Sequence, residues 1–130
     1  MKMKSLTIFL ALTFSVMFSS SSYAGWTEAS EGVNGDVFYI DFERIRKVDG
    51  YVYYWQLTDY LKPISGGYLS SKIYKQGDCK LFRFKDLSFI FHKEPMGGGT
   101  GDTSNNPDKE WNYPSPNAVN ETILKSVCNQ

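Results

Sequence analysis

Apolar and polar positions alternate most clearly in residues 51–60, YVYYWQLTDY, where five of ten side chains are aromatic. Alternation at a period of two predicts a β-strand. One face of this strand comprises Tyr51, Tyr53, Trp55 and Leu57. The other comprises Val52, Tyr54, Gln56 and Thr58. We expect the first face to pack on the core and the second, which is mixed, to face water or a partner.

Further strands are predicted by the same pattern and by the turn residues between them. A short strand, 37–41, follows the turn signal at 34–36, and the charged segment 42–48 predicts a turn or a short helical loop. Pro63 and the glycines after it end the aromatic strand. Two more strands, 68–74 and 80–91, are separated by a predicted break at 77–78. The last strand has apolar residues on both parities, which predicts either a bulge or burial on two sides.

The segment 96–107, MGGGTGDTSNNP, contains glycine and polar residues with little to bury. A phosphate-binding loop would need a strand before it and a helix after it, and a calcium-binding solenoid would need many repeats. We therefore expect a flexible loop.

A C-terminal helix is predicted from Ser115 as the N-cap and Pro116 as the first helical residue, through 117–127. One apolar stripe recurs at helical spacing and comprises Val119, Ile123, Leu124, Val127 and Cys128. The helix must therefore lie on an apolar surface, and the fold class that follows is α+β, a single curved antiparallel β-sheet covered by one C-terminal α-helix.

The first 24 residues have the composition of a secretory signal peptide. A basic start precedes 13 largely apolar positions, 6–18, and small residues end the segment at Ala24, before Gly25. This run is shorter than the roughly 20 residues that a membrane-spanning helix needs. We expect cleavage between Ala24 and Gly25, which divides the chain of 130 residues into a signal peptide, 1–24, and one domain, 25–130.

Charge adds little to this assignment. Removal of Lys2 and Lys4 with the leader leaves twelve Lys and Arg against fourteen Asp and Glu. Arg44, Arg46 and Lys47 form one small basic cluster that a solvated turn explains. The sequence therefore predicts no nucleic-acid partner.

Two cysteines, Cys79 and Cys128, lie in the mature chain. Export to an oxidising compartment and an even count favour a disulfide between them, whereas a metal site or a catalytic thiol lacks a nearby histidine or a CxxC spacing. Because Cys128 lies on the apolar stripe of the helix, such a bond would link the helix to the sheet.

Candidate catalytic chemistry is sparse. His92 is the single histidine, and no nucleophile motif accompanies it. Carboxylate pairs drawn from Asp41, Glu43, Asp59 and Glu94 are nonspecific among fourteen acids. We predict no enzyme activity, no catalytic or metal-binding residues and no cofactor.

The order of motifs along the mature chain resembles the surface-adhesin protein E family. These motifs are a Trp at the mature start, VFYID, YxxWQLTDYxxP, SSKIYKQGDC, EW before prolines, and a last helix that ends in SVC. The resemblance spans 26–128, so we predict that 25–130 is a surface-adhesin E-like domain. It implies a helix on the concave side of the sheet, held by a disulfide that maps onto Cys79 and Cys128.

The same resemblance implies a function in adhesion. The family takes its name from an outer-membrane adhesin of a Gram-negative bacterium that binds host matrix glycoproteins such as vitronectin and laminin, and that can form a homodimer. The namesake resembles a lipoprotein, but the leader here ends without a cysteine to acylate. We therefore expect an exported protein, periplasmic or secreted, that is not a lipoprotein and has no membrane anchor after cleavage.

Two functions remain open. The first is a non-enzymatic binding domain that meets a protein partner through exposed aromatic and basic residues. The candidate surface comprises Tyr54, Tyr60, Lys62, Tyr68 and Lys72. The alternative is a periplasmic protein that binds a small ligand, or another periplasmic protein, with no adhesin role. Val119, Ile123 and Leu124 discriminate against the small-ligand carrier if they fill the concave side.

Overall fold

The computed structural model describes residues 25–130, so the predicted signal peptide and Ala24 lie outside the described residues. The strands are β1 Thr27–Glu31, β2 Val37–Ile40, β3 Arg46–Val48, β4 Tyr51–Ile64, β5 Tyr68–Asp78, β6 Arg83–His92 and β7 Gly101–Ser104. Two 3₁₀ turns, Phe42–Arg44 and Pro95–Gly97, and one α-helix, α1 Val119–Cys128, complete the elements.

All seven strands form one antiparallel sheet in the order β1-β2-β4-β5-β6-β7. β3 pairs with β4 beyond the end of β2, so both short strands use the same edge of β4. The helix packs on one face of this sheet. The predicted fold class, α+β with one curved antiparallel sheet and a C-terminal helix on its concave face, is confirmed.

Over residues 51–55 the two faces of β4 are the reverse of the prediction, whereas Leu57, on the same side as Trp55, is buried as predicted. Val52 and Tyr54 belong to the buried core under the helix, whereas Tyr51, Tyr53 and Trp55 lie half-exposed on the opposite face. We call the side that carries Val52 and Tyr54 the helix face and the other side the outer face. Both faces of β4 are rich in aromatic residues, so counting apolar side chains did not identify the one that the helix covers.

The disulfide between Cys79 and Cys128 is present, with the two Cα atoms 5.7 Å apart. It links the end of α1 to the turn that follows β5. Three side chains of α1 are fully buried against the sheet, as the apolar stripe predicts, and these are Ile123, Leu124 and Val127. Sheet residues Ile40, Val52 and Tyr54 complete the core cluster.

The helix begins later than predicted. Ala118 occupies the N-cap position, and Ser115 accepts a hydrogen bond from the Ala118 backbone in the preceding turn. Asn117 has a φ of 64°, a left-handed conformation that interrupts any helix from Pro116. The Asn117 backbone N–H instead donates to Glu121 Oε1, so a side chain of the first turn satisfies it.

β5 runs through the predicted break at 77–78. Gly77 pairs with Val52, and a Cβ placed on Gly77 would lie 2.8 Å from Val52 Cγ2 and 3.0 Å from Leu124 Cδ1. The glycine therefore marks a close approach of helix to sheet rather than the end of a strand. The predicted irregularity in the last strand is a bulge, because Tyr74 pairs with Ser88 while Lys75 pairs with Asp86.

The glycine-rich segment 96–107 is not a featureless loop, contrary to the prediction. Residues 101–104 form β7, which pairs with β6 at one edge of the sheet. Backbone hydrogen bonds to an existing edge need no apolar side chains, so composition alone did not reveal this strand. β1 and β3 also lack a strong apolar alternation and were not predicted.

Candidate functional site

The residues of the predicted partner surface lie at different places in the fold. Tyr54 is 1% exposed and forms part of the core, so its assignment to a surface is wrong. Burial raises the pKa of its hydroxyl. Tyr60 is half-buried and shares a hydrogen bond of 2.8 Å with Ser71 Oγ. Lys62 is exposed near the end of β4.

The remaining two members of that surface lie at the start of β5, which pairs with this end of β4. The Tyr68 hydroxyl donates to Asp102 Oδ2 at 2.6 Å, and its ring packs on Phe91 with the centroids 5.4 Å apart. Lys72 pairs with Leu57 in the register of β4 and β5, which places it on the outer face. The five predicted residues therefore lie on different sides of the sheet and do not form one site.

A compact aromatic cluster occupies the outer face instead. The Tyr74 ring stacks on Tyr53 with centroids 6.1 Å apart and meets Trp55 at 4.9 Å. Gln76 Nε2 donates to the Tyr53 hydroxyl at 3.1 Å, which fixes the first ring of the cluster. All three rings are half-exposed. Such rings offer a rigid apolar surface with polar tips, a combination common at interfaces.

A second aromatic pair extends this face toward β6. Trp111, in the segment before the helix, stacks on Tyr51 with centroids 5.8 Å apart. The Arg83 guanidinium lies 4.3 Å and Lys85 Nζ 4.9 Å from the centroid of the Trp111 ring. Cation–π contacts therefore hold Trp111 against the sheet. We call Tyr51, Tyr53, Trp55, Tyr74 and Trp111 the aromatic face.

Cations border the aromatic face. Arg46 pairs with Tyr53 across β3 and β4, and its Nη1 donates to the Tyr74 hydroxyl at 3.3 Å. Lys85 pairs with Gln76, one strand further along. Within residues 25–130, Arg46, Lys72 and Lys85 form no salt bridge. Their charge is thus available to a partner.

Two acidic residues of the central strands β4 and β5, on the outer face, have partners within the protein. Asp78 Oδ2 accepts from Arg83 Nε at 2.9 Å, and Asp78 Oδ1 accepts from the backbone of Lys80 and Leu81. Desolvation opposes ionisation of Asp78, but these hydrogen bonds outweigh it and lower the carboxyl pKa. Asp59 Oδ1 accepts from the Met96 backbone at 2.8 Å. The part of the outer face around the aromatic face therefore keeps a local excess of positive charge, while Glu28 and Glu31 lie on the same side two strands away, on β1.

The helix face contains a polar cavity beside α1, of about 430 Å³. Lys75 lies in its floor, 3% exposed, and donates to Gln56 Oε1 at 3.0 Å. Its Nζ is 3.5 Å from Asp86 Oδ1 and 4.6 Å from the centroid of the Phe84 ring. Burial lowers the pKa of Lys75, and Asp86 opposes this shift. Burial also raises the pKa of Asp86, with Lys75 opposing and Asp108 adding to the change.

His92 is buried at the edge of the outer face under the glycine-rich segment. It is 3% exposed, and neither ring nitrogen has a hydrogen-bond partner among the described residues. Burial, reinforced by the charge of Lys72, lowers the pKa of His92. The Gly97 backbone N–H donates to Ser70 Oγ at 2.8 Å, which fixes the turn beside the histidine. The setting is that of a packed neutral imidazole.

Two other kinds of feature are absent from the part of the chain that the structure describes. No group of three or more His, Cys, Asp or Glu side chains in 25–130 is placed to bind a metal ion. In the same residues, no helix combines the length and apolarity required to cross a bilayer.

The aromatic face was not predicted, because the alternation in β4 placed Tyr51, Tyr53 and Trp55 in the core. Two signals pointed the other way. Gly77 lies inside a strand, which indicates that another element approaches closely on that side. Tyrosine side chains are often only partly buried in folded proteins, so a run of tyrosines is weak evidence for a core face.

Comparison with known proteins agrees with this architecture. The profile of the surface-adhesin protein E family matches residues 26–129. No curated protein matches the chain. Among solved structures, crystal form II of Haemophilus influenzae protein E superposes with a TM-score of 0.65 at 18% identity, over 85% of this chain and 92% of that one. A second structure of Haemophilus influenzae protein E gives 0.64 at 18% identity, over 85% and 89%.

At this identity the structural likeness establishes the fold, while the family profile covers most of the chain independently. The strand order, the C-terminal helix and the Cys79–Cys128 bond are all contained in the matched region. The chain belongs to the surface-adhesin protein E family.

Proposed function

We propose that this protein is an exported, non-enzymatic binding domain that meets a protein partner through the aromatic face. Host matrix glycoproteins such as vitronectin and laminin are the proposed partners. The observation that carries the proposal is the cluster of half-exposed rings on the outer face, bordered by cations that form no ion pair within residues 25–130. Export without a lipid anchor and formation of a homodimer belong to the same proposal.

The residue types support binding at this face. Tyrosine, tryptophan and arginine are enriched where interfaces bury their energetically important contacts. The rings are already held by cross-strand contacts and by hydrogen bonds to Arg46 and Gln76, so little side-chain freedom would be lost on association. The helix lies on the opposite face, which leaves the aromatic face uncovered in the monomer.

The test is direct binding of oxidised protein, residues 25–130, to immobilised vitronectin and laminin at low and physiological salt. We expect saturable binding that Trp55→Ala weakens by about tenfold or more, the effect of losing a contact worth roughly 1.4 kcal/mol. Trp55→Phe, which retains a ring, should recover most of the loss.

The matched control is Lys62→Ala, which tests the surface that the sequence predicted. Lys62 is exposed and has no part in the aromatic face, so the variant should bind as wild type. Absence of binding to both glycoproteins, with the disulfide intact, would refute the proposed partners. Binding that depends on Lys62 and not on Trp55 would refute the proposed surface.

A small-ligand function is the second candidate, and the polar cavity on the helix face favours it. Ile123 and Leu124 fill the concave side under α1, so an apolar carrier pocket is not formed there. The cavity beside the helix has a polar floor with Gln56, Thr58 and Lys75. Thermal shift measurements with small amines, amino acids and carboxylates test it, and a set without any stabilising compound would remove this candidate.

A further inference from the structure

We infer that the aromatic face also binds a sulfated polysaccharide chain, an inference that goes beyond the proposed protein partners and shares with them only the binding surface. The starting point is the shape of the face. Tyr53, Tyr74 and Trp55 present contiguous rings on the outer surface of a continuous, regularly paired stretch of β4 and β5. Sugar rings carry flat, C–H-rich faces that pack well on such rings.

The second step is charge. Arg46 adjoins the ring cluster from β3, Lys85 from β6, and Lys72 lies at the same face of β5 beyond Tyr74. Guanidinium and ammonium groups without an internal carboxylate partner are suited to oxyanions such as sulfate. Three cations on three different strands would meet a charge that repeats along a chain rather than a single anion.

The third step is the distribution of charge over the sheet. The mature chain carries more acidic than basic residues, so the basic border of the aromatic face is not a consequence of composition. Carboxylates gather instead around the cavity on the helix face, where Asp36, Asp86 and Asp108 contribute to the lining. A polyanion is therefore favoured at the aromatic face over the cavity on the helix face.

Rings and charge together select the occupant. An acidic peptide such as polyglutamate supplies carboxylates without rigid flat rings. It would therefore contact the cations but would not stack on Tyr53, Trp55 and Tyr74. A sulfated sugar chain supplies both in every repeat and keeps its charge at any physiological pH. Single-stranded nucleic acid also combines rings with charge, and it is therefore one of the competing probes.

The experiment uses oxidised 25–130 and isothermal titration calorimetry at 50 and 150 mM NaCl. The probes are a size-defined heparin octasaccharide, the same octasaccharide after complete desulfation, polyglutamate and oligo-dT. We expect the sulfated octasaccharide to bind and desulfation to weaken it by about tenfold or more. Polyglutamate and oligo-dT should bind at least about tenfold more weakly than the octasaccharide.

Variants separate stacking from charge. Trp55→Ala should weaken octasaccharide binding by about tenfold at both salt concentrations, while Trp55→Phe retains it. The double variant Arg46→Ala with Lys85→Ala should weaken binding mainly at 50 mM NaCl. The affinity of this variant should also depend less steeply on salt, as expected for about two fewer counterions released on binding. The charge-matched control, Lys62→Ala with Lys125→Ala, removes two cations outside the aromatic face and should bind as wild type. Near-ultraviolet circular dichroism and melting temperature verify that each variant folds.

The outcomes distinguish this inference from the proposed function. No octasaccharide binding, indifference to Trp55→Ala in a folded variant, or equal binding of polyglutamate or oligo-dT each overturns the sulfated-chain inference. If vitronectin or laminin still binds through Trp55 in those cases, the proposed function stands without it. If the octasaccharide binds through Trp55 but neither vitronectin nor laminin binds, the sulfated-chain inference is supported and the proposed protein partners are refuted.

Discussion

At the residue scale, the buried polar groups are the most informative feature of this molecule. Lys75 is an ammonium in the floor of a cavity, held by Gln56 and Asp86. His92 is an imidazole packed with no hydrogen-bond partner among the described residues. Burial of an ionisable group costs free energy unless a partner compensates, so each residue makes a distinct prediction.

Lys75→Met should destabilise the protein by about 3 kcal/mol, because it leaves the Asp86 charge without its counterion beside Asp108. Lys75→Met with Asp86→Asn should recover much of that loss, since the unpaired charge is then removed as well. Urea denaturation at pH 7 measures both. A double variant as unstable as the single one would show that Lys75 acts through packing rather than through its charge.

His92→Leu should change the pH dependence of stability. The folded pKa of His92 is lowered, so between pH 6.5 and that value the unfolded chain binds a proton that the folded chain does not. The wild type should therefore lose stability relative to His92→Leu on acidification, by no more than about 1.4 kcal/mol per pH unit. Unfolding free energies of both proteins at pH 7.5, 6.0 and 5.0 measure the difference. Parallel curves would contradict the expected titration.

At the element scale, the approach of α1 to the sheet depends on one residue of β5. Gly77 lies opposite Val52, and the space that its Cβ would need is taken by Val52 and Leu124. The apolar stripe of the helix was readable in the sequence, but the depth at which it packs depends on this glycine.

Gly77→Ala should cost about 1–3 kcal/mol through overpacking. Leu124→Ala alone should cost about 2–5 kcal/mol through the cavity it leaves. The two changes together should cost less than the sum, because the shorter side chain accommodates the new methyl group. Thermal and urea unfolding of the three variants test this, and strict additivity would refute the assigned contact.

Local patterns predicted the elements unevenly. Strong alternation located β4, and helical spacing located α1 and its buried stripe. The short edge strands β1, β3 and β7 were not predicted, because main-chain pairing with a neighbouring strand stabilises them and their side chains show little alternation. The faces of β4 were reversed, because both carry aromatic residues and only a partner element distinguishes them.

At the scale of the whole molecule, one covalent bond connects the end of α1 to the turn that follows β5. Cys79 and Cys128 are 49 residues apart, so the bond closes a loop that contains β6, β7 and α1. A cross-link over this length restricts the unfolded chain substantially.

Cys79→Ala with Cys128→Ala should therefore lower the free energy of unfolding by about 4 kcal/mol. Reduction of the wild type should have a similar effect, and reductant should leave the double variant unchanged. Urea denaturation with and without reductant measures this. A loss below about 1 kcal/mol would mean that α1 docks on the sheet without help from the bond.

The sequence by itself determined the alternation of the central strand, the apolar stripe of the helix, the disulfide pair and the resemblance to the family, because each depends on residue types at fixed spacings. Tertiary structure alone decided which face of β4 is buried and therefore where the aromatic face lies. It also brought Trp111, Arg46 and Lys85 to that face from three separate segments. Side chains distant in sequence meet only when strands pair and the helix covers one side, and no local pattern encodes that choice.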